Sequence, residues 1–228
     1  MALIINIEGT DGSGKQTQSK LLLEKLQELG ISCKLHSFPS YESGSSMPVR
    51  MYLGGDFGDK ADCLDPYQAS VLYAVDRLCT MKLLEKEEKV DVLILDRYTS
   101  SNMTHQAGKI DDELERDMFL DWLVDLEFGD MKLPRPAITI FLDMPVEKSM
   151  ELAHQRKDLK ANTKQDIHEK DPEHLAKAYN AGKYVSKKYD WKEVVCVDEN
   201  QNIKSIEEIH KEIMKNVLEL LKEKNIIE

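Results

Sequence analysis

One stretch near the start of the chain constrains the fold more than any other. Leu3–Ile7 is a short, largely β-branched apolar run, and it leads through Glu8 directly into Gly9-Thr10-Asp11-Gly12-Ser13-Gly14-Lys15-Gln16-Thr17. Lys15–Leu29 then carries Leu22, Leu26 and Leu29 at helical spacing and stops at Gly30, a residue suited to a left-handed cap. A strand, a glycine-rich turn and a helix in immediate succession form a phosphate-binding unit. The glycines let successive backbone N–H groups turn inward around phosphate oxygens, the helix N-terminus adds partial positive charge, and Lys15 reaches the distal phosphates of a nucleotide. A strand feeding a helix this way also demands a parallel sheet covered by helices.

The rest of the chain keeps that rhythm. Cys33–Phe38, Val92–Leu95, Ala137–Leu142 and Val194–Val197 read as four more strands, giving an α/β fold: a five-stranded, mainly parallel sheet with helices on both faces. Asp65-Pro66 places a capping acid before a proline and opens a helix running to about Glu88. Ser205 and Glu208 fit a capping box, followed by an apolar stripe of Ile206, Ile209, Ile213, Val217 and Leu220. Ser40–Met47 and Gly54–Asp62 read as loops. With 228 residues, no repeat and no linker, the chain is expected to be a single domain, residues 1–228. Cys33, Cys63, Cys79 and Cys196 are too scattered for a zinc site or disulfide framework and read as buried free thiols. No export signal or membrane span is visible, so a cytoplasmic protein is expected. The net charge of −11 excludes a general nucleic-acid coat, because an acidic chain repels a polyphosphate backbone.

The second half of a P-loop nucleotide site is the strand Val92–Leu95 ending in Asp96-Arg97. Asp96 can hold Mg²⁺ directly or through water, and Arg97 enters the same cleft as a phosphate clamp. Such loops ordinarily follow their lysine with Ser or Thr, whose hydroxyl binds Mg²⁺; here Gln16 stands there, with Thr17 next. Either the Gln16 carbonyl replaces the hydroxyl, or phosphates, water and a carboxylate hold the ion. Two look-alikes fail on context. Thr163-Lys164-Gln165-Asp166 imitates a guanine-reading tetrapeptide but follows no buried strand, and Asp56-Phe57-Gly58 imitates a protein-kinase motif with no catalytic loop to match.

Taken in order, Gly9–Lys15, Phe38-Pro39 with Tyr41, Arg50, Asp76-Arg77, Asp96-Arg97-Tyr98 with Ser101 and Gln106, Leu142-Asp143 and a basic segment at 155–165 resemble the thymidylate kinase family of nucleoside monophosphate kinases. That resemblance implies transfer of the γ-phosphate of ATP to dTMP, Mg²⁺ as cofactor, and a homodimer. It implies an ATP site at Gly9–Thr17 and an acceptor site in which Tyr73 stacks on thymine, Arg77 hydrogen-bonds the base, Phe38 packs beside it, and Arg50 and Arg97 bind the 5′-phosphate. Asp11 reads the sugar 3′-hydroxyl or orients the acceptor, and Ser101, Asn102 and Gln106 complete the wall. The chain departs from the family at His105, which stands where an aromatic residue is set against the sugar. By spacing, Val71, Val75 and Leu78 form a core-facing stripe on one side of their helix, with Tyr73 and Arg77 displayed on the other.

The phosphate turn holds no arginine, so the cation that neutralises transition-state charge is expected from the basic segment, chiefly Arg156 with Lys157 and Lys160, and with Asp166 and Glu169 as anchors. Lys15, Arg97, Arg156 and Asp11 are the expected catalytic set. The chemistry requires no general base, since a phosphate monoester with a second pKa of about 6 is mostly dianionic at pH 7. What it requires is convergent positive charge, because two unit charges 4 Å apart repel by about 4 kcal/mol at an effective dielectric of 20. Two other readings use the same turn: a deoxynucleoside kinase, with Glu8 or Asp11 as base, and a regulatory ATP-binding module with no acceptor site.

Overall fold

The computed structural model describes residues 2–159 and 171–227, with the side chains of 154–159 set aside. Five strands, β1 (Leu3–Glu8), β2 (Cys33–Ser37), β3 (Val92–Asp96), β4 (Ile138–Asp143) and β5 (Lys192–Val195), form one sheet in the order β2-β3-β1-β4-β5. Every neighbouring pair is parallel. The central strands β1 and β3 are covered on both faces and read as near-continuous apolar runs for that reason. The chain leaves β1 for β2 on one side and later fills β4 on the other, so the order reverses at the carboxyl end of β1, which is where α/β sheets form their ligand crevice.

Helices α1 (Lys15–Glu28) and α8 (Ile206–Glu223) cover one face, burying Leu22, Leu26, Ile213 and Val217 against Ile5 and Ile7. The other face receives α3 (Pro66–Leu84), α4 (Thr99–His105), α5 (Glu113–Val124) and α7 (Pro172–Lys188). Its core includes Ile4, Leu93, Leu95, Met81 and Tyr98. Both expected caps form: Asp65 with Gln68 on α3, and Ser205 with Glu208 on α8. Such caps are worth about 1 kcal/mol each.

Several expectations shift. The last strand lies two residues earlier than the valine run implied, because Cys196 and Val197 turn away to pair with Lys204 and Ile203. The α3 helix ends at Leu84 rather than Glu88, before a charged run with no apolar face to bury. Ser40–Met47 is not all loop: it contains a 3₁₀ turn, Gly44–Ser46, and the first residue of α2 (Met47–Gly54). Ile206 stands outside the buried stripe of α8, at the solvent-exposed first turn. Of the cysteines, Cys33 and Cys196 are buried, Cys63 is half-buried and Cys79 exposed.

The larger correction concerns α3. Val71 and Val75 are 39% and 38% exposed, whereas Arg77 is 2% exposed. Leu78, the third member of the expected stripe, does pack half-buried against the core, but the helix turns Val71 and Val75 outward because the polar side finds stronger partners inward. Asp76 accepts from the Ser40 backbone N–H (2.8 Å) and from Ser45 Oγ (2.6 Å), and Arg77 meets the buried carboxylate of Glu127.

Candidate active site

The turn after β1 has the geometry its glycines promised. Gly9, Gly12 and Gly14 adopt φ of 154°, 84° and 95°, and a Cβ on Gly12 would lie 2.1 Å from the backbone oxygen of Ser149 in α6 (Val146–Leu159). Only hydrogen fits between that turn and α6. No side chain caps the N-terminus of α1, so its free N–H groups face the turn, as an anion site requires. Thr10 Oγ1 and Ser13 Oγ are buried without a hydrogen-bond partner, and phosphate oxygens would supply one. Lys15 is buried and donates to the Thr10 carbonyl at 2.7 Å. Burial, then the nearby Arg97, lower its pKa to about 8 against the opposing pull of Asp11, Glu8 and Asp96. Gln16 is exposed and Thr17 half-buried.

Arg97 is the hub of the adjoining half-site. The chain turns from β3 into α4 through Arg97 and Tyr98 alone, and Arg97 takes a left-handed φ of 70°, a conformation that costs about 1–3 kcal/mol and aims its side chain back across the sheet end. Its guanidinium donates to Asp11, and Glu8 Oε1 lies 3.8 Å away. Burial alone would lower the Arg97 pKa, but Asp11, Glu8 and Asp96 hold it above its already high value. Glu8 is fully buried and tied to the Gly9 N–H (2.9 Å), Ser100 (2.6 Å) and Ser101 (2.7 Å). This network fastens the phosphate turn to α4.

Arg97 also donates to His105 Nε2 at 3.3 Å, and since arginine cannot accept, that nitrogen carries a lone pair. The His105 proton therefore sits on Nδ1 and is donated to His174 Nε2, again at 3.3 Å. His105, expected against the sugar, thus also belongs to the support of the phosphate clamp. Burial is the main cause that lowers the His174 pKa to about 4.

Between these groups and α3 lies a cavity of about 170 Å³. Asp11, Arg97, Ser101 and His105 line one end; Phe38, Tyr41, Tyr73, Arg77, Asn102 and Gln106 line the remainder. All the expected acceptor residues except Arg50 are therefore brought together. Arg50 instead donates to the carbonyls of Tyr41 and Ser43 (3.1 Å for the latter) and to Ser46 Oγ (2.9 Å), bracing the loop that carries Tyr41. The Gln106 side chain is fully buried, and neither its amide N nor its amide O has a partner. Leaving a buried amide unpaired costs about 1–3 kcal/mol, so a ligand able to pair with it would be favoured there.

Asp96 sits at the end of β3 with 8% exposure and accepts one long hydrogen bond, from Ser37 Oγ at 3.5 Å. Its carboxylate is available to a cation beside the phosphates. No cluster of three or more His, Cys, Asp or Glu able to hold a metal exists among the described residues, and Asp96 is the carboxylate that would touch an ion held mainly by nucleotide phosphates and water. Arg156 and Lys157 fall among the side chains set aside, and Lys160, Lys164, Thr163–Asp166 and Glu169 lie outside the described residues.

Sequence reasoning missed Glu127. It sits on a π-helical turn, Asp125–Asp130, that continues α5, and its side chain is fully buried against Arg77. Glutamate is almost never fully buried unless paired, but that signal is legible only once the fold is known.

The thymidylate kinase family model matches residues 7–213. The chain belongs to the thymidylate kinase family. As a member it is an ATP-dependent nucleoside monophosphate kinase by class. It is 29% identical over 173 residues to the thymidylate kinase of Mycobacterium tuberculosis, covering 75% of this chain and 79% of that one. It is 33% identical over 159 residues to a probable thymidylate kinase of Thermococcus kodakarensis, covering 68% and 73%. Its fold is similar to that of the thymidylate kinase from Candida albicans, with a TM-score of 0.66 at 20% identity over 98% of this chain and 92% of that one.

Proposed function

We propose that this thymidylate kinase family member transfers the γ-phosphoryl group of ATP to dTMP, yielding dTDP and ADP, as a single P-loop domain closed by a basic lid at 155–165. The observation that carries the reading is the cavity itself: lined by the Asp11–Arg97 pair, which joins it to the phosphate turn, and by the aromatic, amide and guanidinium groups of Phe38, Tyr73, Gln106, Asn102 and Arg77. The turn and α1 hold the donor phosphates, with Lys15 on the distal ones. Arg97 exchanges Asp11 for the acceptor 5′-phosphate and holds that dianion in line with the donor. Tyr73 and Phe38 sandwich the base, while Arg77, Asn102 and Gln106 read its edge. Mg²⁺, held by the ATP phosphates and Asp96, supplies charge neutralisation when bound. Arg156 adds the cation that the phosphate turn lacks.

A homodimer accords with the inverted α3. Val71 and Val75 reach solvent there, and the neighbouring α5 exposes Leu114 (71%) and Met118 (54%), an apolar face that a second copy would cover. No described helix is long and apolar enough to cross a membrane, and a cytoplasmic site of action is part of the proposal.

The deciding experiment offers dTMP, dUMP, dGMP, dCMP and thymidine with Mg·ATP and follows ADP release. Turnover of dTMP well above the others is expected. Phosphorylation of thymidine without any monophosphate would indicate the deoxynucleoside kinase instead, and tight ATP binding with no turnover would indicate a regulatory module.

A further inference from the structure

The polarity of the base-reading wall is set from behind, by a residue that does not line the cavity. Glu127 has no solvent exposure and receives four donors. Its Oε2 accepts from Arg77 Nε (2.7 Å) and Thr99 Oγ1 (2.7 Å); its Oε1 accepts from Arg77 Nη2 (2.5 Å) and, at the long limit, Asn102 Nδ2 (3.5 Å). A carboxylate offers about four lone-pair sites, so this one is saturated.

Two cavity-lining side chains are oriented as a result. Arg77 has five N–H groups, of which two go to Glu127 and one, at 3.4 Å, to the Tyr98 carbonyl. The outer edge of the guanidinium is left to donate into the cavity. Asn102 has two amide hydrogens, one directed at the Ser70 carbonyl (3.2 Å) and the other at Glu127. Flipping that amide would set its oxygen against two acceptors, so its carbonyl is the end left for a ligand. The wall therefore shows donors at Arg77 beside an acceptor at Asn102. A 4-keto pyrimidine presents the complement, a C4 carbonyl acceptor next to an N3–H donor. A 4-amino pyrimidine presents the reverse at both positions.

We propose that Glu127 is a positioning residue for base selection: by fixing Arg77 as donor and Asn102 as acceptor it makes the cavity accept 4-keto and reject 4-amino pyrimidine nucleotides. The inference rests on the dTMP kinase reading. Glu127 touches neither substrate nor reacting phosphate and acts through the two residues it holds.

The test compares kcat/KM for dTMP and dCMP in the wild type, Glu127→Gln and Glu127→Asp, with KM for ATP at saturating dTMP. Wild type should favour dTMP over dCMP by at least about 10³-fold, since a site built to pair polar groups penalises an analogue that leaves them unpaired. Glu127→Gln keeps the shape but turns an amide N–H onto Arg77. It should raise KM for dTMP at least about tenfold and cut the dTMP:dCMP preference by a similar factor, with KM for ATP within about twofold. Glu127→Asp retains the buried charge but cannot reach Arg77 and Asn102 together; it should lose preference likewise. A merely structural role would lower turnover of every acceptor equally. Unchanged preference in both variants, or equal loss across acceptors and ATP, would overturn the role of Glu127 while leaving the kinase reading intact. A wild type without dTMP activity would overturn the reading and this inference together.

Discussion

The buried His105–His174 pair makes this protein sensitive to acid in a way that one substitution can isolate. The His174 pKa lies at about 4 in the folded protein, lowered by burial first and by Lys109 next, with Asp171 and Asp11 opposing. An unfolded chain restores the ordinary value of about 6.5. Below pH 6.5 the unfolded state therefore binds a proton that the native state refuses. Stability from this group is fully present above that value and falls as the pH drops toward 4. Between pH 7.5 and pH 5.0 the linkage amounts to about 2 kcal/mol, a large share of the 5–15 kcal/mol that holds an ordinary domain folded. The comparison is urea denaturation of the wild type and His174→Phe at both pH values. Acidification should cost the wild type about 2 kcal/mol more than the variant, equivalent to about 1 M in urea midpoint at an m-value of 2 kcal/mol/M. Carboxylate titrations are common to both proteins and cancel. If the two midpoints fall in parallel, the neutral-imidazole chain from Arg97 through His105 to His174 is not what burial has made it.

Two further outcomes are expected. Arg156→Ala should lower kcat by about two to three orders of magnitude while leaving KM for dTMP within about threefold, as for a cation acting mainly in the transition state; steady-state kinetics with unchanged kcat would remove Arg156 from the reaction. Sedimentation equilibrium should give the wild type twice its chain mass of 26.2 kDa and Val75→Glu a single chain mass, whereas a monomeric wild type would leave the apolar face of α3 without its second copy.

The parts of this protein that were legible in sequence are those where function and local structure use the same residues. Gly12 needs a left-handed φ and bare space beside Ser149, so the turn that binds phosphate is also the turn that only glycine can make. Asp96 closes, and Arg97 follows, a strand buried at every position, which announces itself by composition. In α3, apolar spacing does not mean core at every position. Its valines face outward, while Asp76 and Arg77 point inward, held by the Ser40–Ser45 loop and by Glu127. Nothing local to Arg77 reveals a carboxylate 50 residues away on a π turn. Nor does the sequence show that the carbonyls of Tyr41 and Ser43 compete for the Arg50 guanidinium once the intervening loop closes.

The Asp11–Arg97 contact bears on how the fold tolerates its own cations. Cations gathered at one end of a sheet confine like charges at close quarters, and the folded chain must offset that repulsion. Here Asp11 and Glu8 stand against Arg97, and Glu127 against Arg77, so each arginine is held beside a carboxylate of the protein itself. On the proposed reading, Asp11 would yield its place on Arg97 to the acceptor phosphate, so that nucleotide entry would trade one anion for another rather than quench bare positive charge.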